Sequence, residues 1–110
     1  MSPPPPNEAL RDLASLLGDE ATREIVGLFL NDFPASIRSL RGCSRDDQMR
    51  IAHGLRSSAL HMGANGLSRR MGAIEDLLAA PGGTLDPRDL EVAAAEFEAF
   101  AAELRKYADA

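Results

Sequence analysis

Apolar residues recur along this chain every three to four positions, and no stretch alternates with a period of two. That spacing predicts amphipathic helices and an all-α fold without a sheet. A first short helix runs from a cap at Asn7 to Gly18, with Leu10, Leu13 and Leu17 as its apolar stripe. A second begins at Asp19 and extends to about Arg41, turning Val26, Phe29, Leu30, Phe33, Ile37 and Leu40 inward. Pro34 removes a backbone donor and predicts a bend, yet the spacing stays in phase from Phe33 to Leu40, so one helix is expected.

Gly42, Cys43 and Ser44 lead into a third helix, capped by Ser44 or Asp46 and ending near Gly63 or Ala64. At about 100° per residue, Ile51, Leu55, Ser58 and Met62 share its inward face, and His53 falls roughly opposite. Asn65-Gly66 reads as a tight turn. The fourth helix carries Leu67, Met71, Ile74 and Leu78 on one stripe and stops at Pro81-Gly82-Gly83. Asp86-Pro87 opens the last helix, whose buried stripe is Leu90, Ala94, Phe97, Phe100, Ala101 and Leu104. Four long helices with short connections pack most simply as an antiparallel up-down four-helix bundle, with the short additional N-terminal helix covering one end. Residues 1–6, a proline run, are expected to form a disordered tail, and residues 7–110 a single helical domain.

Composition narrows the function classes. The chain has 110 residues, a formal net charge of −5 and no basic stripe to neutralise phosphates, which argues against nucleic acid as a partner. One cysteine, Cys43, excludes an internal disulfide and fits a reducing compartment. No apolar run approaches the roughly 18 residues of a membrane span, and no signal-peptide pattern opens the chain. A soluble, cytoplasmic, monomeric domain is expected.

Candidate chemistry gathers around His53. Met49, Arg56, Ser57 and Leu60 lie at i−4, i+3, i+4 and i+7 from it and so surround it on a helix. A neutral imidazole is a nucleophile near physiological pH, and a neighbouring cation disfavours imidazolium. His61 sits eight residues on, at the edge of the buried face, where local packing is the simpler reading. Spacing of eight puts the two rings about 12 Å apart along the axis, so a shared metal ion is not expected.

The segment Ala52-His53-Gly54-Leu55-Arg56-Ser57-Ser58, with Gly63 ten residues after the histidine, resembles the Ala-His-x-Leu-Lys-Gly-Ser signature of histidine-containing phosphotransfer (HPt) domains. Leu28-Phe29-Leu30-Asn31-Asp32-Phe33-Pro34 resembles the upstream segment of that family, and Leu67 to Leu78, including Ile74-Glu75, its fourth helix. Arg56 replaces the usual lysine and Ser57 the usual glycine. Arginine keeps the charge and adds a forked donor set, while serine remains small. The resemblance implies a helical bundle that relays phosphoryl groups between aspartates of response-regulator receiver domains. His53 would be the phosphoacceptor through Nε2 and Arg56 the phosphoryl stabiliser, with Met49, Ser57, Leu60 and Gly63 in the binding surface. It implies no intrinsic kinase activity and no cofactor in this chain, with Mg2+ on the partner receiver. Partners would be receiver domains or a hybrid histidine kinase. The alternative is a receiver-binding or helix-binding bundle that transfers nothing.

Overall fold

A computed structural model describes residues 3–110, and everything described is helix or short connection. The helices are α1 (Glu8–Leu17), α2 (Asp19–Ser39), α3 (Arg45–His61), α4 (Asn65–Ala79) and α5 (Pro87–Ala108), with one 3-10 turn at Leu40–Gly42. The ends are set by the residues expected to set them. Asn7 accepts from the Leu10 amide at 2.9 Å, Ser44 from that of Asp47 at 3.3 Å, and Asp86 from that of Arg88 at 2.9 Å. α2 continues through Pro34 as one helix, and its last expected turn tightens into the 3-10 segment.

Contacts between helix ends give the up-down order. Gln48 near the start of α3 donates to the Leu40 carbonyl beyond the end of α2 at 2.8 Å. Arg45 places its guanidinium on the last carbonyls of α4, with Nε 2.7 Å from Leu78 O and Nη2 bonded to Leu78 O and Ala80 O. Those carbonyls have no partner within the helix and carry its negative dipole end, so a cation there is favourable. Tyr107, in the last turn of α5, donates to Asp19 at the start of α2 at 3.0 Å. The result is an elongated bundle of 51 × 21 × 19 Å, with α1 across the end where α2 begins and α3 finishes.

The core runs between these helices. Phe33 of α2 stacks on Phe97 of α5 with centroids 5.0 Å apart, and Phe29 closes the cluster. The α4 stripe of Leu67, Met71, Ile74 and Leu78 is buried as its spacing predicts. In α5, Ala93 is buried where Ala94 was expected, Phe100 is half-buried, and Tyr107 extends the stripe one turn further. Leu17, the last residue of α1, is exposed rather than buried.

Two corrections concern α3 and the start of α4. The buried residues of α3 are Ala52, Leu55 and Ala59, with Met62 buried just past its end; Ile51 is half-buried and Ser58 exposed. This helix leans on α4 rather than α2, which rotates the inward face toward the alanines. Asn65-Gly66, read as a turn, instead begins α4. The reversal is made earlier by Gly63, at φ +81°, with the Ala64 amide bonded back to Ala59 O at 2.9 Å. Met1 and Ser2 of the expected tail lie outside the described residues; Pro3 and Pro4 are exposed, while Pro5 and Pro6 are half-buried.

Candidate functional site

α3 lies against α4 through small side chains, chiefly Ala52 and Ala59 on one side and Ser68 and Gly72 on the other, all of them buried. This close approach lets an α4 residue reach the ring of His53. Glu75 Oε2 lies 2.7 Å from His53 Nδ1, and Glu75 Oε1 lies 3.1 Å from Arg56 Nη1. One carboxylate therefore holds both α3 residues, each through its own oxygen. The His53 side chain is 64% exposed and that of Arg56 52%, whereas Glu75 is 20% exposed. The acid is the anchored partner and the histidine the presented one.

Electrostatics assign the protons. Partial burial raises the carboxyl pKa of Glu75, but the hydrogen bonds from His53 and Arg56, and then their charges, outweigh it and hold the group below its usual 4.5. At neutral pH Glu75 is thus ionised and accepts only, so the hydrogen of this bond belongs to Nδ1. In a neutral ring the lone pair then sits on Nε2, the nitrogen turned away from α4. A carboxylate fixes the tautomer, and an open helix face presents the free nitrogen.

The other expected site residues separate. Leu60 is 56% exposed and lies two turns beyond His53 on the same helix. Met49 is half-buried against the core, so it is less available than its spacing predicts. Ser57 is half-buried, and Ser58, expected inside, lines a groove. Gly63 lies about 15 Å along the axis from His53, where a Cβ would come within 2.6 Å of the Asn7 side chain. That side chain donates to Met62 O at 2.9 Å, so Gly63 belongs to the seam between α1 and α3 rather than to the surroundings of His53.

The groove is an apolar trough of about 710 Å³ between α2 and α3, closed at one end by Leu13 of α1. Ile25, Leu28 and Phe29 form one wall, Ile51, Gly54 and Ser58 the other, and His61 stands at its edge. Gly54, which lines the groove, follows His53 directly in α3, while the His53 ring itself stands outside the lining. Among the described residues no cluster of three or more His, Cys, Asp or Glu is placed to hold a metal ion, and no helix is long and apolar enough to cross a membrane.

Glu75 is the residue of this cluster to which sequence reasoning gave no role. It was named only within the segment resembling the family's fourth helix. A signal exists, however: Ser68, Gly72 and Glu75, at i, i+4 and i+7, make a small and polar stripe beside the apolar stripe of α4, as a helix packed closely on a polar neighbour requires.

The sequence model of the Hpt domain matches residues 24–108, a span that includes His53, Arg56 and Glu75. No curated protein and no solved structure matched the chain.

Proposed function

The chain belongs to the Hpt domain family, whose role is phosphotransfer in two-component systems, and from that premise we propose that it relays a phosphoryl group between aspartates of receiver domains through His53. The observation that carries this reading is the 2.7 Å pairing of His53 Nδ1 with Glu75 on an otherwise open helix face. In the neutral ring it leaves the lone pair on Nε2, turned toward whatever docks.

The donor is an aspartyl phosphate on a receiver. Nε2 attacks the phosphorus from the side opposite the aspartyl oxygen. The N–P bond forms as that P–O bond breaks, and the electron pair leaves with the aspartate carboxylate. The ring keeps its Nδ1 hydrogen and becomes cationic, a charge that the Glu75 carboxylate offsets at 2.7 Å. In the second half, the carboxylate of another receiver attacks the phosphorus, the N–P bond breaks, and the neutral imidazole returns. Arg56, one turn from His53, offers a forked cation to the phosphoryl oxygens. Positioning does most of the work in such transfers, and this chain supplies nucleophile, cation and docking surface. The magnesium ion is expected on the receiver, with no cofactor and no kinase step ascribed to this monomeric, cytoplasmic carrier.

Docking uses the apolar groove on the α2 side of His53 together with Leu60. The opposite side of the ring is occupied by Glu75 and Arg56, so a partner that covers Nε2 gains apolar burial by extending over Leu28 and Ile51. Ser57 and Met49 lie closer in and bound the ring.

A phosphorylated receiver mixed with wild type and with His53→Gln tests the relay. Acid-labile phosphate is expected on wild type and absent from the variant. Receiver binding without transfer to wild type would reduce the chain to a docking bundle.

A further inference from the structure

Arg56 reaches Glu75 by crossing α4 at Gly72, and the crossing is close. A Cβ placed on Gly72 would lie 3.4 Å from Arg56 Nε, 3.5 Å from Cδ and 3.6 Å from Cζ. These are van der Waals distances, so the guanidinium rests on bare backbone with space for a methyl group and little more. Gly72 is buried in the interior of a helix, where glycine is the least favourable residue after proline. Backbone conformation does not call for it, since its φ is not among the positive values found at Gly18, Gly63 and Gly82. One turn earlier, Ser68 Oγ donates to the Arg56 carbonyl oxygen at 3.0 Å and holds the backbone of α3 against α4 at this point. Ser68 thus fixes the root of Arg56, Gly72 underlies its stem, and Glu75 receives its tip.

We propose that Gly72 is a positioning residue of this site: by carrying no side chain it seats the Arg56 guanidinium against α4, so that Arg56 steadies the carboxylate that holds His53. Its consequence for transfer rests on the reading of His53 as phosphoacceptor, but the seating itself does not. A side chain longer than a methyl at position 72 lifts Arg56 away from Glu75. The carboxylate then keeps only one of its two partners and gains rotational freedom. His53 in turn loses part of the constraint that keeps its hydrogen on Nδ1.

The test uses the full chain with Gly72→Ala and Gly72→Gln, the latter also in an Arg56→Ala background. Nitrogen-15 NMR of the unphosphorylated protein reads the Arg56 Nε–H signal and the His53 tautomer, and phosphoramidate serves as the donor for measuring phosphoryl uptake. Gly72→Ala is expected to keep the Arg56 signal in its held position. Gly72→Gln is expected to shift that signal to that of a free arginine, raise the share of His53 carrying its hydrogen on Nε2, and slow uptake several-fold. In the Arg56→Ala background the glutamine is expected to add nothing, because its effect passes through Arg56. An unchanged His53 tautomer in folded Gly72→Gln, or an equal loss with Arg56 already removed, would overturn the proposal. Loss of folding in Gly72→Gln would overturn it too, since a half-exposed arginine should yield before the bundle does. A wild type that takes up no phosphate while the NMR changes occur as expected would support the seat and overturn the relay reading instead.

Discussion

A single carboxylate, that of Glu75, sets which nitrogen of His53 carries the hydrogen. Glu75→Gln keeps the shape but removes the charge, so the Nδ1 hydrogen loses its strongest acceptor and the phosphorylated ring its counter-charge. Uptake from phosphoramidate is expected to fall about tenfold or more, the scale on which carboxylates that orient a working imidazole act. The same residue predicts a pH signature. Its pKa is lower folded than unfolded, so it stabilises the fold above about 4.5, and that stability is lost as pH falls through the depressed value. The stability difference between wild type and Glu75→Gln should therefore shrink on acidification below about 4.5, which pH-dependent urea titrations would detect. That His53 and Arg56 stand side by side was legible because their spacing lies within one helix. The place of Glu75 was not, because its role arises from packing between two helices, and 22 residues separate it from the ring it holds.

Helix phase and helix ends show where sequence patterning sufficed. The α4 stripe was read correctly because both of its neighbours are packed against it. The α3 face was read about one residue out, because periodicity marks an apolar side without naming which neighbour it meets; Ile51 belongs to a groove and Ala52 to the α4 seam. Gly63 was placed in the binding surface by resemblance, but its φ of +81° and its contact with Asn7 give it a structural task. Gly63→Ala is expected to destabilise by more than about 1 kcal/mol through strain and the clash with Asn7. Phosphoryl uptake by the folded fraction should be unaffected, and a parallel loss of uptake at low temperature would return Gly63 to the site. At the other seam, burial first and then the bond to Asp19 hold the Tyr107 hydroxyl above its usual pKa of 10.0. Tyr107→Phe keeps the packing and loses that bond, at an expected cost of about 1–2 kcal/mol in urea unfolding.

At the scale of the molecule the bundle has one closed side and one open side. α3 and α4 meet through small residues, and α2 and α5 through three phenylalanines, whereas α2 and α3 part to leave the groove. The four-helix order was legible from the count and length of amphipathic segments. The groove was not, since it reflects how far two helices separate. Leu28 is 62% exposed on its wall, so Leu28→Glu should change stability little. It is expected to slow transfer from a phosphorylated receiver several-fold while leaving uptake from phosphoramidate intact, because only the protein donor needs the groove. Equal rates from the receiver in both proteins would place the docking surface elsewhere.

The central claim is that His53 accepts the phosphoryl group on Nε2. Its most direct test is treatment with phosphoramidate followed by intact mass and ³¹P and ¹⁵N NMR, with wild type beside His53→Gln and His61→Gln. One acid-labile phosphoryl group on Nε2, present in wild type and His61→Gln and missing only from His53→Gln, is the predicted result. No adduct on wild type, or equal labelling of His53→Gln, would contradict it.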